Sequence, residues 1–153
     1  MMGTDEVFKL INEIFTLTID CVSVLKPYLV KNIGDAALMI FDVNSADRVI
    51  LNMLSLKSKL ENYLEDRGFK TRSSFSCHVG EAAIGQIGKE PFKTTDAFGD
   101  AINTTFIMNS RPSRGGSPFS GRLNISPQLF RKLSSETRKR FHKYTPQIVY
   151  IAD

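Results

Sequence analysis

Residues 30–41 read VKNIGDAALMIF, and the fold turns on how this stretch is taken. Gly34-Asp35 is a turn signal, because glycine supplies positive φ without steric cost and aspartate tolerates turns. Leu29, Val30 and Ile33 precede it, and Leu38, Met39, Ile40 and Phe41 follow it. The reading is strand, tight turn, strand, over 28–32 and 36–42. Lys31 and Asp35 then stand at the lip of the hairpin. Taken alone they are a surface lysine and a turn aspartate, so any further purpose must come from the rest of the chain.

Upstream, Val7, Phe8, Leu10, Ile11, Ile14, Phe15, Cys21, Val22 and Leu25 recur at the spacing of an amphipathic helix. Thr4 is the expected cap, Asp5 and Glu6 face the positive end of the dipole, and Pro27 ends the helix. Downstream, a second helix is expected from Asn44 or Ser45 through Leu51, Leu54, Leu56, Leu60 and Leu64 to Gly68. Phe75, Cys77 and Val79 alternate with polar residues as in a strand, which Gly80-Glu81 turns back into 82–87. KEPFKTTDAFGD (89–100) reads as a loop leading into a short helix that Pro112 ends. RPSRGGSPFSG (111–121) has the composition of a surface loop. A short strand over 123–125, a helix opened by Ser126-Pro127 and a closing strand in PQIVYIAD complete the chain. The order is α, β, β, α, β, β, α, β, α, β. It fits an α+β fold with helices over an antiparallel sheet, in one domain spanning 1–153 without repeats or linkers.

The composition agrees. The chain has 153 residues, 42% of them hydrophobic, enough for a single core. No apolar run is long enough to cross a membrane, and the acidic start MMGTDE is not expected to be a signal peptide. Cys21 and Cys77 stand apart with no C-x-x-C pair, so both read as small hydrophobes in a reducing compartment, and the cytoplasm is the expected location. The net charge of +4 lies mostly in the C-terminal third, without interleaved aromatics. That pattern suits a solvated helix face rather than a nucleic-acid partner, and it also suits an anionic nucleotide. The glycines of GEAAIGQIGKE do not meet the phosphate-loop order. His78 reads as a residue on the polar face of a strand, and His142 as part of a basic helix surface.

Three segments, VKNIGDAALMIF, CHVGEAAIGQIG and TTDAFGDAINTTFIMNS, resemble in order and spacing the class III adenylyl/guanylyl cyclase catalytic domain. The resemblance runs from the EVFKLINEIF helix through GRLNISPQLFRKL to the closing strand. Its specificity rests on K-x-I-G-D (31–35) combined with F-G-D-x-x-N (98–103). It implies a ferredoxin-like antiparallel sheet covered by helices, a homodimer with shared sites, and conversion of ATP to cyclic AMP and pyrophosphate. It also implies divalent cofactors, Mg²⁺ or Mn²⁺. By the same resemblance Asp35 holds metal, Lys31 and Asp96 select the base, and Asn103 positions the ribose. The chemistry is consistent with those residue types. Charge builds on phosphoryl oxygens as the 3′-oxygen attacks, so cations must surround them, and a carboxylate is a hard oxygen ligand for such ions. A lysine donor beside an aspartate acceptor matches adenine.

Two departures qualify the resemblance. The position of the family's transition-state arginine is Ile107, and loss of such a donor costs roughly 10²–10³ in rate. Arg111, four residues on, is the candidate replacement, although Pro112 biases it away from helical geometry. The family's first strand, which carries the other metal aspartate, has no counterpart in these residues. The expectation is a cyclase domain that is inactive or weak as it stands. The alternative is a degenerate cyclase-homology module that dimerises, binds nucleotide and regulates without catalysis.

Overall fold

The hairpin forms, and its register explains which side chains leave the core. In the computed structural model, which describes residues 1–110, 121–144 and 149–152, Leu29–Ile33 (β1) pairs antiparallel with Ala36–Ile40 (β2). Ile33 faces Ala36 across Gly34-Asp35, and Gly34 takes φ +60°, the sign such short loops demand. Val30 and Met39 lie opposite each other and pack on the core. Side chains alternate along a strand, so Lys31 and Leu38 occupy the other face.

Two long helices cover the core. Thr4–Val22 (α1) is capped by Gly3 rather than Thr4, with the Glu6 carboxylate accepting from the Gly3 N–H at 2.9 Å. Glu6 lies three residues beyond Gly3, the spacing at which a side chain reaches back to the cap. Ala46–Glu65 (α2) follows a 3-10 turn over Val43–Ser45, where Asp42 accepts from the Asn44 N–H at 2.7 Å. Ile50, Met53, Leu56 and Leu60 of α2 are buried against Val22 of α1, and each such side chain contributes about 1.5–3 kcal/mol. Lys57 is buried yet paired with Glu61, whose carboxylate also accepts from the Ser73 N–H at 2.9 Å. Cys21 and Cys77 are free and pack against this core. Burial pushes the Cys77 thiol up to about 12, so it is not a thiolate nucleophile.

The remaining strands form two further sheets. Phe75–Cys77 (β3), Leu123–Ile125 (β6), Val149–Ala152 (β8) and His142–Tyr144 (β7) pair in the order β3-β6-β8-β7. The β3–β6 pairing is parallel and the others antiparallel, a mixed version of the antiparallel sheet expected. Ala83–Ile87 (β4) does not return on β3. It pairs antiparallel with Thr94–Phe98 (β5), a segment that the sequence presents as loop. Thr94, Thr95 and Asp96 hide the apolar alternation there, while the β-branched threonines favour an extended backbone.

Asp100–Ser110 (α3) follows at once. The helix expected after Pro127 divides into Pro127–Lys132 (α4) and Ser135–Arg138 (α5), because Ser134 caps the second by accepting from the Thr137 N–H. Ser126 caps α4 as expected, accepting from the Leu129 N–H at 3.2 Å. His142 therefore lies in an edge strand, not on a helix. Among the described residues, no helix is long and apolar enough to cross a membrane.

Candidate functional site

The first strand of one hairpin and the second strand of the other meet through their side chains. Lys31 of β1 lies on the face that Val30 and Met39 leave, and Asp96 of β5 comes to it: Nζ donates to Oδ2 at 2.7 Å. The second carboxylate oxygen, Oδ1, accepts from the Ala97 N–H at 2.8 Å. The Lys31 hydrogen bond first, and then that backbone N–H, hold the Asp96 carboxyl below the usual carboxylate range. Asp96 is thus an anion fixed in direction, beside a cation.

Asp35 stands exposed at the tip of the β1–β2 hairpin, four positions beyond Lys31. Asn103 is exposed on α3, and Ile107, one turn further on the same face, is 56% exposed. The side chains of Asp35 and Asn103 make no hydrogen bond among the described residues. The structure therefore joins Lys31 to Asp96 and does not join Asp35 or Asn103 to either. Arg111 lies outside the described residues.

A metal centre needs more than the tip offers. The Asp35 carboxylate is of the right hardness for Mg²⁺ or Mn²⁺. Yet no group of three or more His, Cys, Asp or Glu side chains among the described residues is placed to share an ion. The residues described do not by themselves fit a metal centre.

Backbone approach fixes where α3 begins. The Gly99 carbonyl accepts from the N–H groups of Ile102 and Asn103 at 3.1 and 3.2 Å. A Cβ on Gly99 would lie 2.8 Å from the Glu81 carbonyl oxygen, and one on Gly80 would lie 2.8 Å from the Ala101 Cβ. The start of α3 and the segment leading into β4 are therefore in contact, and an open cleft lies there, lined by His78, Glu81, Phe98, Asp100 and Thr104.

His78 is half-buried with its Nδ1 2.7 Å from the Ser126 Oγ, and burial lowers its pKa. It is thus less a polar-face residue than the sequence suggests. Phe98, 61% exposed and two residues beyond Asp96, shares the Asp96 face of β5. The F-G-D-x-x-N motif begins at this residue, but the sequence gives it no role of its own because its segment reads as loop. An aromatic at i+2 from a candidate binding residue was the available signal.

No protein-family model matches the chain, and no curated protein matches it by sequence. Similarity to solved structures is extensive. The guanylyl cyclase Cya2 is 15% identical with a TM-score of 0.70, covering 98% of this chain and 80% of that one. The adenylyl cyclase CyaB from P. aeruginosa is 12% identical with a TM-score of 0.69, covering 98% and 82%. The catalytic core of a rhodopsin-guanylyl cyclase with converted specificity, in complex with ATPαS, is 18% identical with a TM-score of 0.62, covering 99% and 85%. At such identities the likeness is one of backbone architecture, and this chain has the fold of the class III adenylyl and guanylyl cyclase catalytic domains.

Proposed function

We propose that the chain is a nucleotide-cyclase-type catalytic domain whose base-reading residues suit ATP, and that it is inactive or weak as it stands. The observation that carries this reading is the meeting of Lys31 and Asp96, 65 positions apart in sequence, at 2.7 Å on a cyclase fold. A donor and an acceptor side by side suit a purine's pairing edge, and the resemblance assigns them in adenine's order, Lys31 toward N1 and Asp96 toward N6–H. Asn103 on α3 is assigned to the ribose. Asp35 enters as one carboxylate donor to a divalent ion, Mg²⁺ or Mn²⁺, whose chemistry when bound is to neutralise charge on the phosphoryl oxygens. Among the described residues no three His, Cys, Asp or Glu side chains are grouped to hold that ion.

Homodimerisation belongs to the same reading. Its support is the β4–β5 hairpin, which exposes Ile84, Ile87, Phe98 and, between the strands, Phe92 at 84%. Single exposed apolar side chains are ordinary, but several on one hairpin suit a covered surface. Weak turnover follows from Ile107, which presents no charge where the resemblance calls for arginine.

Titration with ATP and GTP, with turnover assayed in Mn²⁺, tests the proposal. The expected result is tighter binding of ATP than of GTP, with little cyclic AMP formed. Ile107→Arg should then raise the rate if the missing cation is the remaining defect. Equal affinity for the two nucleotides, or vigorous turnover by the unaltered chain, would contradict it. The second reading, a regulatory module that binds nucleotide without catalysis, gains if Ile107→Arg binds ATP and remains inert.

A further inference from the structure

The four-stranded sheet meets α3 through polar groups. Ser76 of β3 and Asn124 of β6 stand opposite each other in the parallel pairing, so their side chains share a face. Phe75, Cys77, Leu123 and Ile125 take the other face and belong to the core. Asn124 is 1% exposed, and its amide donates to the Phe75 carbonyl at 3.2 Å and to the Ser76 Oγ at 3.0 Å. That bond occupies one lone pair of Ser76 and leaves its hydroxyl proton for α3. Ser76 Oγ donates to the Asn109 Oδ1 at 3.1 Å.

Little else fixes the rotation of α3. Ile102 and Met108 are its buried side chains, while Phe106 and Ile107 are exposed. Apolar contact is non-directional, so two such side chains hold the helix down without setting its angle. The close approaches at Gly80 and Gly99 place the start of the helix. A hydrogen bond in the last turn depends on both distance and angle, and so fixes how far the helix is turned. Helix geometry carries that setting to the candidate site. At 3.6 residues per turn, Asn109 lies nearly in line with Ile102, and Asn103 lies about 120° round the cylinder. Asn103 therefore points outward while Asn109 is held on Ser76.

We propose that the Ser76–Asn109 hydrogen bond is a positioning tether that sets the rotation of α3 and, resting on the nucleotide reading above, the direction in which Asn103 meets a bound ribose. Ser76 and Asn109 act through Asn103 rather than by touching the nucleotide. The tether serves ATP and GTP alike, because the Lys31–Asp96 pair takes no part in it.

Titrations of the full chain with ATP and GTP, beside amide hydrogen exchange over 100–110, test the tether. Asn109→Ala is the first variant, since the site is exposed and alanine is the better helix former. Propensity alone would slow exchange, whereas loss of the tether should speed it several-fold in the last turn. Affinity for both nucleotides should fall together by about threefold to tenfold, the range of one hydrogen bond, with their ratio unchanged. Ser76→Ala should do the same, and Ser76→Thr, which keeps the hydroxyl, should retain the affinity. Added to Asn103→Ala, neither Ser76→Ala nor Asn109→Ala should cause a further loss. Asn124→Ala is the control for stability. It loses bonds within the sheet but leaves the Ser76 hydroxyl for Asn109, so its ATP affinity should match that of the unaltered chain.

Unchanged exchange in Asn109→Ala overturns the tether. Faster exchange with unchanged affinity overturns its role in positioning. So does a shifted ATP-to-GTP ratio, a further loss on top of Asn103→Ala, or a loss in Asn124→Ala equal to that in Ser76→Ala. If the unaltered chain binds neither nucleotide, the nucleotide reading fails with the positioning role, and the exchange data decide the tether independently.

Discussion

Strands β6 and β4 are both short, apolar in part and regularly paired, yet their surroundings are opposite. Leu123, Asn124 and Ile125 of β6 are 0%, 1% and 0% exposed, whereas every residue of β4 is exposed. The first strand lies inside a four-stranded sheet with Leu123 and Ile125 in the main core cluster, and the second lies in a two-stranded hairpin on the surface. Hydrogen bonding alone therefore does not separate core strands from surface ones; burial does. β6 contributes to the core, and β5, paired with β4, presents Asp96 and Phe98 outward.

The largest effect should come from breaking this contrast directly. Leu123→Ala should cost about 2–5 kcal/mol in urea unfolding, whereas Ile84→Ala should stay within about 0.5 kcal/mol. Similar losses at the two sites would show that β4 is covered within the protomer and would remove the contrast. Asn124→Ala should come next. Its amide donates to the Phe75 carbonyl at 3.2 Å and to the Ser76 Oγ at 3.0 Å. Leaving those acceptors unmatched in the core should cost about 1–3 kcal/mol, whereas Gln86→Ala on β4 should be close to neutral in the same urea unfolding.

Gly99→Ala sharpens the comparison from the other side. At φ +150° and with the Glu81 carbonyl in the way, an alanine should destabilise by about 1–3 kcal/mol. Unlike the core variants it should also weaken ATP binding, because Asn103 rides on the helix that Gly99 starts. ATP affinity equal to that of the unaltered chain would separate α3 from the site.

The smallest effect concerns pH. Hydrogen bonds from the Thr137 side chain and then the Ser134 N–H hold the Asp47 carboxyl below its ordinary 3.8, tying α2 to the start of α5. A depressed carboxylate contributes stability above its unfolded pKa and loses it as pH falls through the folded value. Asp47→Asn should therefore flatten stability against pH below about 4 while leaving the neutral-pH nucleotide preference alone. An unflattened acid limb would assign that dependence to other groups.

Much of the scaffold was legible because periodicity and turn chemistry act locally. The β1–β2 hairpin, both long helices, β6 and the Ser126 cap follow from alternation, helical spacing and the residues that tolerate positive φ or satisfy orphan N–H groups. β5 was not legible, since Thr94-Thr95-Asp96 carries no apolar alternation and its partner is chosen across a turn. The Gly3 cap and the division after Leu133 depended on which side chain reached a free N–H first.

The sequence by itself determined the candidate residues, Lys31, Asp35, Asp96 and Asn103, and the kind of element that carries each of them except Asp96, whose strand reads as a loop. Both are properties of short stretches. Only the tertiary structure decided which of them meet. A salt bridge across 65 residues depends on how two hairpins pack, and hairpin packing is set by burial of distant side chains. The outcome is that Lys31 and Asp96 are joined on a cyclase fold, while Asp35, at the tip of its turn, makes no side-chain hydrogen bond among the described residues.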